Sequence, residues 1–156
     1  MTTDKLITDR TNVDVLNFIV YRNILGNGGS VTEEQLNTML RGSLNIYTLN
    51  RIEGKMFELQ TRLNKYTYMV SSIETKSWNK NDIFEHDVEI VRWQRNLDSL
   101  VKAYYKYFDT PNPPNSVYNF QGINDVEKIL YDVENILNNM ISRFRRCGTF
   151  RCGEAR

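Results

Sequence analysis

A heptad spacing of large apolar residues between Leu49 and Ile73 constrains the fold of this chain more than any other feature of its sequence. These residues recur at alternating intervals of three and four positions: Leu49, Ile52, Met56, Leu59, Leu63, Tyr66, Val70 and Ile73. A strict repeat keeps one narrow apolar stripe on the same side of a helix, which must bury that stripe against another helix. We therefore predict a helix from about Leu44 to Ile73, roughly 45 Å long.

A second long helix is predicted from Ile83 to Phe108. It follows a polar turn at 78–82, in which Asn81 or Asp82 is the expected helix cap. Its wide apolar face comprises Phe84, Val88, Val91, Trp93, Leu97, Leu100, Val101, Tyr104 and Phe108. Two long helices joined by a short polar turn form an antiparallel hairpin with a shallow crossing angle. We therefore expect a long antiparallel hairpin over about 44–108 at the centre of the fold.

Residues 1–10 show no sustained hydrophobic period and are expected to form an arm. Thr11 or Asn12 then caps a predicted helix from Val13 to about Leu25. The expected buried side of this helix comprises Val13, Leu16, Ile19, Val20 and Ile24.

The glycine-rich run from Gly26 to Gly29 ends this first helix. Because the run follows a helix and not a strand, it favours a turn with a left-handed glycine over a phosphate-binding loop. Thr32 and Gln35 then form a capping box at the start of a short second helix, which ends near Gly42. The residues expected to point inward from that helix are Leu36, Met39 and Leu40.

The chain after the hairpin contains a linker and one more helix. Three prolines make the linker 111–122 stiff and non-helical, and Tyr118 and Phe120 lie on one side of its extended end. Asn124 and Glu127 form a second box-like cap. The apolar positions of the predicted helix over 123–142 and of the residues just after it are Val126, Leu130, Val133, Leu137, Met140 and Phe144.

These elements predict an all-α fold with five helices. The expected organisation is a helical bundle over 1–110, the linker 111–122, the C-terminal helix 123–142 and an extended tail over 143–156. A chain of 156 residues buries roughly two thirds of the surface that its unfolded form exposes, so folding requires no metal and no disulfide.

The charge balance limits the possible functions. Twenty basic and 19 acidic residues give a net charge of +1, which argues against a protein that coats nucleic acid over its whole surface. No apolar run approaches the roughly 20 residues that span a bilayer, and the first ten residues do not resemble a signal peptide. Two cysteines, both near the C-terminus, favour synthesis in a reducing cytoplasm.

His86 is the only histidine and lies in the segment Glu85-His86-Asp87-Val88-Glu89. Asp82 and Glu89 could share its helix face, but metal sites in helical bundles take such ligands from at least two helices, and the chain has no second histidine. A serine or cysteine nucleophile would also need this histidine as its base. We therefore predict a solvated or helix-capping histidine, and no catalytic residue, metal ligand or cofactor.

The last fourteen residues carry five arginines against one acidic residue, Glu154. They contain a near repeat, Phe144-Arg145-Arg146-Cys147-Gly148 followed by Phe150-Arg151-Cys152-Gly153. Arginine binds carboxylate or phosphate through a fork of donors, whereas a frayed, solvated terminus is the alternative interpretation. The residues expected to bind a partner are Arg143, Phe144, Arg145, Arg146, Phe150, Arg151 and Arg156.

Three states remain open for Cys147 and Cys152: free thiols, an oxidised pair, or half of a metal site completed by a second subunit.

The layout of a helical bundle with a long helical hairpin, a stiff linker, a last helix and an extended arginine-rich tail resembles the small α-helical connector, or adaptor, proteins that stack under the portal ring of tailed bacteriophages. The resemblance is one of layout and rests on no residue motif. It implies a non-enzymatic structural protein of the virion, synthesised in the host cytoplasm, that forms a homo-oligomeric ring and binds portal or tail components. The alternative is a small accessory protein that binds nucleic acid through its basic tail. Neither role involves a membrane.

Overall fold

The computed structural model describes residues 5–66, 68–103 and 105–147. In this part of the chain it contains five helices and no strand, which confirms the all-α prediction for the described residues. The helices are α1 (Asn12–Gly26), α2 (Glu33–Arg41), α3 (Ile46–Lys65), α4 (His86–Lys102) and α5 (Phe120–Cys147).

The core of the fold is a bundle of α3, α4 and α5, and its helices run parallel to one another. Between α3 and α4, Glu53 binds Arg92, Met56 lies 3.8 Å from the side-chain nitrogen of Asn96, and Leu63 and Leu100 line the same cavity. Later residues of α3 therefore meet later residues of α4. The predicted antiparallel hairpin over 44–108 is wrong, because antiparallel helices would show the opposite order.

The contacts between α3 and α5 show the same direction. Arg51 binds Glu127 at 2.6 Å near the start of both helices, and Arg62 binds Asn138 at 2.6 Å further along both. The apolar side chains buried among the three helices include Ile52, Met56, Leu59, Trp93, Leu97, Leu100, Ile129, Leu130 and Leu137.

Helix α3 ends eight residues before Ile73, so the predicted helix over 44–73 is too long. Val70 and Ile73 are buried as the heptad spacing predicts, but they reach the core from extended chain. The side chain of Asn64 accepts a hydrogen bond from the backbone N–H of Val70 at 2.9 Å, which stabilises the change of direction. Residues 70–75 are also rich in β-branched and hydroxyl side chains, which disfavour helix.

Residues 68–85, the first return segment, replace the predicted short turn and run back beside α3. The side chain of Gln60 donates to the carbonyl of Ser71 at 3.0 Å. Nearer the start of α3, Asn50 accepts from the N–H of Trp78 at 2.7 Å and donates to its carbonyl at 2.9 Å. The return brings the chain to the beginning of α3 before α4 starts, which is why α4 runs parallel to α3.

Helix α4 is shorter than the predicted helix 83–108. Its N-cap is Glu85, which makes no capping side-chain hydrogen bond, so the predicted caps Asn81 and Asp82 are wrong. Asp82 instead accepts from the N–H of Asn79 at 2.6 Å within the polar turn. After α4 the chain leaves the helix, and Phe108 is fully exposed.

Residues 105–119, the second return segment, run back beside α5. Asn139 lies 3.3 Å from the hydroxyl of Tyr107, and Thr110 donates to Asp132 at 2.7 Å. Because α5 begins at Phe120, the predicted box-like cap of Asn124 and Glu127 lies inside the helix and caps nothing.

The segment 5–11, predicted as part of a free arm, packs against the start of α5. Leu6 and Arg10 are buried, and Arg10 forms a fully buried ion pair with Glu127 at 2.8 Å. Asn124 accepts from the backbone N–H of Arg10 at 3.1 Å and donates to its carbonyl at 2.9 Å. Both α5 residues that were expected to cap a helix therefore anchor the N-terminal segment.

Buried carboxylates fix three of the non-helical segments to the bundle. Glu127 holds the N-terminal segment, Asp132 holds the second return segment, and Glu53 holds the first. Glu53 binds Arg92 and accepts from the indole N–H of Trp93 at 2.8 Å and of Trp78 at 3.3 Å. A buried carboxylate with this many donors has its lost hydration replaced, so it can hold α3, α4 and the return segment together.

We predict that Glu53→Gln lowers the free energy of unfolding by about 3 kcal/mol, because it leaves buried donors and the Arg92 guanidinium with less compensation. Urea unfolding followed by circular dichroism measures the loss. Glu34→Gln on the exposed face of α2 is the matched control and should stay within about 0.5 kcal/mol of the parent chain. Equal stability of the two variants would contradict the role given to Glu53.

Acid should weaken the same region through Glu89. Burial raises the pKa of Glu89, but hydrogen bonds from Lys76 and Arg92 outweigh burial and hold the pKa below its ordinary value of 4.5. The unfolded chain then binds the proton more readily, so the stabilisation is complete above pH 4.5 and is lost as the pH falls through the lower folded pKa. We predict that, as the pH falls below 4.5, the free energy of unfolding decreases less for Glu89→Gln than for the parent chain. Urea denaturation of both chains at a series of pH values in that range measures the difference.

Candidate functional site

His86 has a structural position at the start of α4. Its Nε2 accepts from the backbone N–H of Val117 at 3.3 Å, its Nδ1 lies 3.1 Å from Asp87, and its ring stacks on Tyr118 at 3.7 Å between centroids. The side chain therefore ties α4 to the second return segment. Among residues 5–66, 68–103 and 105–147, no group of three or more histidine, cysteine, aspartate or glutamate side chains is placed to hold a metal ion.

The predicted tail begins as helix and not as extended chain. Arg143 is exposed on α5, and Phe144, Arg145 and Arg146 belong to the end of the same helix. The other predicted partner-binding residues, Phe150, Arg151 and Arg156, lie outside the described residues, as does Cys152. The role of the tail in partner binding stays a prediction.

The bundle offers little room for a small ligand at its apolar cavity. This cavity, lined by Leu63, Leu100 and Met140 among others, has a volume of about 10 Å³, about the space that one water needs. None of the helices in the described ranges has the length and apolar character needed to cross a membrane.

The most unusual surface lies on α1 and α2, which together form a helical arm over residues 12–41. The two helices pack on each other, and neither contains a buried residue. The predicted capping box of Thr32 and Gln35 is confirmed at the start of α2. The arm is fixed at its base, where the guanidinium of Arg41 binds Asp9 at 2.7 Å and Asp14 at 3.1 Å.

Close packing at Gly42 sets the angle between the helices of the arm. A Cβ atom at this position would lie 2.0 Å from the carbonyl oxygen of Asp14. Only glycine leaves room for the backbone of α1 to pass so close to the end of α2. The arm therefore has a defined geometry where it leaves the bundle.

The side of α1 that was predicted to be buried is exposed. We call it the α1 stripe, and its residues with their exposed fractions are Val13 (62%), Leu16 (59%), Ile19 (48%), Val20 (51%) and Ile24 (37%). Val15 and Phe18 lie on roughly the opposite side of the helix and are partly buried. Helix α1 is thus apolar on two sides, and α2 packs against it on one.

The electrostatics of α1 favour an apolar partner. Asp14 and Arg22 are its only charged residues, and Asp14 is paired with Arg41. Uncharged amides border the stripe at Asn12, Asn17 and Asn23. Without a cation beside it, the stripe does not suit a phosphate backbone, and it instead suits the apolar surface of another protein.

One sequence signal could have revealed this surface. Val15 and Phe18 fall outside the predicted buried stripe, so α1 shows two apolar sides instead of one. A helix that is apolar all round is normally enclosed by several neighbours. The fold provides α2 as the main neighbour, and the second apolar side remains uncovered.

Comparisons of this chain with protein-family models, curated proteins and solved structures found no match.

We predict that the α1 stripe contributes little to folding. Leu16→Ala should change the free energy of unfolding by less than about 0.5 kcal/mol, because Leu16 is largely exposed. The same substitution at the fully buried Leu130 is the matched control, and it should cost about 2–5 kcal/mol through lost burial and the cavity left behind. Urea unfolding of both variants at low protein concentration gives the comparison, and a large loss for Leu16→Ala would mean that the stripe is covered within the chain.

Proposed function

We propose that this chain is a non-enzymatic structural protein that assembles with other copies of itself through the α1 stripe. The observation that carries the proposal is the second, uncovered apolar side of α1 on an arm that is fixed at its base. Exposing five aliphatic side chains along one helix costs solubility. A subunit that buries them on a neighbour gains association energy from the same surface.

The shape of the arm supports this function. Helix α1 has 15 residues and is therefore about 22 Å long. Because the arm packs on itself and is clamped by Arg41, it presents the stripe without needing to fold on binding. A preformed surface of this kind loses less conformational entropy on association than a disordered segment does.

The specific role that we propose is a ring-forming connector of a tailed-phage virion, such as a head-tail adaptor or a collar component. The layout of the sequence suggested this role, and an arm that docks on a neighbouring copy is consistent with a ring. The arginine-rich tail over 143–156 would then bind a portal or tail protein.

Binding of nucleic acid is the second candidate, and it is favoured by the exposed position of Arg143 at the start of the arginine-rich tail. Binding of this kind would weaken steeply with salt because it releases counterions. It would also require the tail and not the α1 stripe, so the two candidates separate experimentally.

We predict that the parent chain forms a defined oligomer and that Leu16→Asp reduces it to a monomer with unchanged helix content. The carboxylate would have to lose its hydration inside an apolar contact. Tyr131→Asp, which places the same charge at an exposed position of α5, is the matched control and should assemble normally. Light scattering on a sizing column measures the mass, and circular dichroism measures the helix content.

A chain ending at Ser142 completes the same experiment. It loses only the last five residues of α5, so the bundle should stay folded. It should build smaller particles than the full chain if the tail docks on a neighbouring protein. A parent chain that stays monomeric from micromolar to millimolar concentration would contradict self-assembly, and a monomer that gains mass with DNA only when the tail is present would support the nucleic-acid function.

A further inference from the structure

Helix α3 carries a second heptad pattern on its outer surface. Its residues are spaced by three, four, three and four positions and are all exposed. We call them the α3 outer stripe: Tyr47, Asn50, Gly54, Phe57 and Thr61. The side chain of Asn50 also holds the backbone of Trp78, so the first return segment borders the stripe at this position. Tyr47 and Phe57 expose 60% and 58% of their area. The five positions contain no charged residue, although charged residues flank them on the same helix.

Among the residues that the structure describes, no neighbour of Gly54 requires a glycine at this position. A Cβ atom at this position would meet no atom within 4 Å, so any small side chain would fit. Glycine in the middle of a helix is destabilising relative to alanine because it loses more backbone entropy on folding. A glycine within a helix can allow another backbone to approach that helix closely. At Gly54 the approaching backbone would belong to another molecule.

We propose that the α1 stripe of one copy packs along the α3 outer stripe of the next copy. This inference rests on the proposed self-assembly and names the surface that receives the arm. The α1 backbone crosses at Gly54, and the aromatic rings of Tyr47 and Phe57 pack on the aliphatic side chains to either side.

Three properties of the two surfaces match. The α1 stripe spans 12 residues from Val13 to Ile24, so it fits within the 15 residues of the α3 outer stripe from Tyr47 to Thr61. Val13, Leu16 and Val20 repeat at intervals of three and four, as the outer stripe does, which is the spacing that lets two helices pack at a shallow angle. Neither surface carries a charge, so the contact buries no ion.

The second surface identifies a copy of the same chain as the partner. A helix of suitable length and matching spacing is already present on this chain, in an arm that leaves its second apolar side uncovered. The two surfaces lie on different helices, so each copy gives one arm and receives another. A mutual exchange between two copies would stop at a dimer, whereas binding the arm of a third copy is a heterologous contact. Repetition of such a contact closes a ring or extends a filament.

The experiment uses two variants of the full chain, Val20→Asp in the arm and Gly54→Gln in the outer stripe. Val20 is half exposed and Gly54 faces open space, so both variants should fold, and circular dichroism checks this. Ser142→Gln adds the same side chain to an exposed position of α5 and is the matched control. Sedimentation velocity measures the mass of each chain alone and of the two variants mixed in equal amounts.

We expect each variant to associate at least tenfold more weakly than the parent chain, and Ser142→Gln to associate normally. The mixture should recover association but stop at a 1:1 dimer. The intact arm of Gly54→Gln binds the intact stripe of Val20→Asp, and the two remaining surfaces are both defective. If Gly54→Gln assembles like the parent chain while Val20→Asp does not, self-assembly stands and the α3 outer stripe is the wrong acceptor. A monomeric parent chain would overturn both proposals.

Gly54→Ala should stabilise the folded chain but weaken its association, a combination that is not expected if Gly54 has no role in assembly. The substitution should raise the melting temperature of the dissociated chain by about 2–4 °C through helix propensity. It should also weaken association, because the added methyl group holds the two backbones apart. Association that is unchanged or stronger in Gly54→Ala would contradict a close helix crossing at this position.

Discussion

The buried carboxylate of Glu53 is the interaction on which the arrangement of the bundle depends. It lies on α3, binds Arg92 of α4 and receives the N–H of Lys76 from the first return segment. Parallel neighbouring helices need a connection that runs the full length of the bundle, and extended chain carries polar backbone groups that must be satisfied. Glu53, with Asp132 and Glu127, satisfies such groups or anchors their segments, so the long connections pack as part of the core.

The helical arm over 12–41 is stabilised differently from the bundle. Its helices have no buried residue, and ion pairs of the partly buried Arg41 with Asp9 and Asp14 join them to the N-terminal segment. The bundle therefore has its own core, and the exposed apolar side of α1 contributes little to it. In the proposed assembly, each copy would fold first and associate afterwards through its arm.

The periodicity of the apolar residues predicted the class of fold and the existence of the five helices. Apolar residues at intervals of three and four positions indicate a helix from the local sequence alone. The capping box of Thr32 and Gln35 was predicted for the same reason. The direction of α4 relative to α3 was predicted wrongly, because the heptad spacing continues through Val70 and Ile73 although α3 ends at Lys65. The exposure of the α1 stripe was also missed, since the sequence pattern of an apolar side is the same whether or not the rest of the chain covers it.

The parallel direction of α3, α4 and α5 gives the subunit an electrical axis. In an antiparallel bundle neighbouring helix dipoles cancel, whereas here their negative ends gather at one end of the bundle. Lys65, Lys102 and Arg143 lie in or near the last turns of the three helices, where positive charge offsets those dipole ends. In an assembly whose bundles lie along a common rotation axis, all copies would point the same way, so one face would carry the helix N-termini and the other the C-termini with these basic residues.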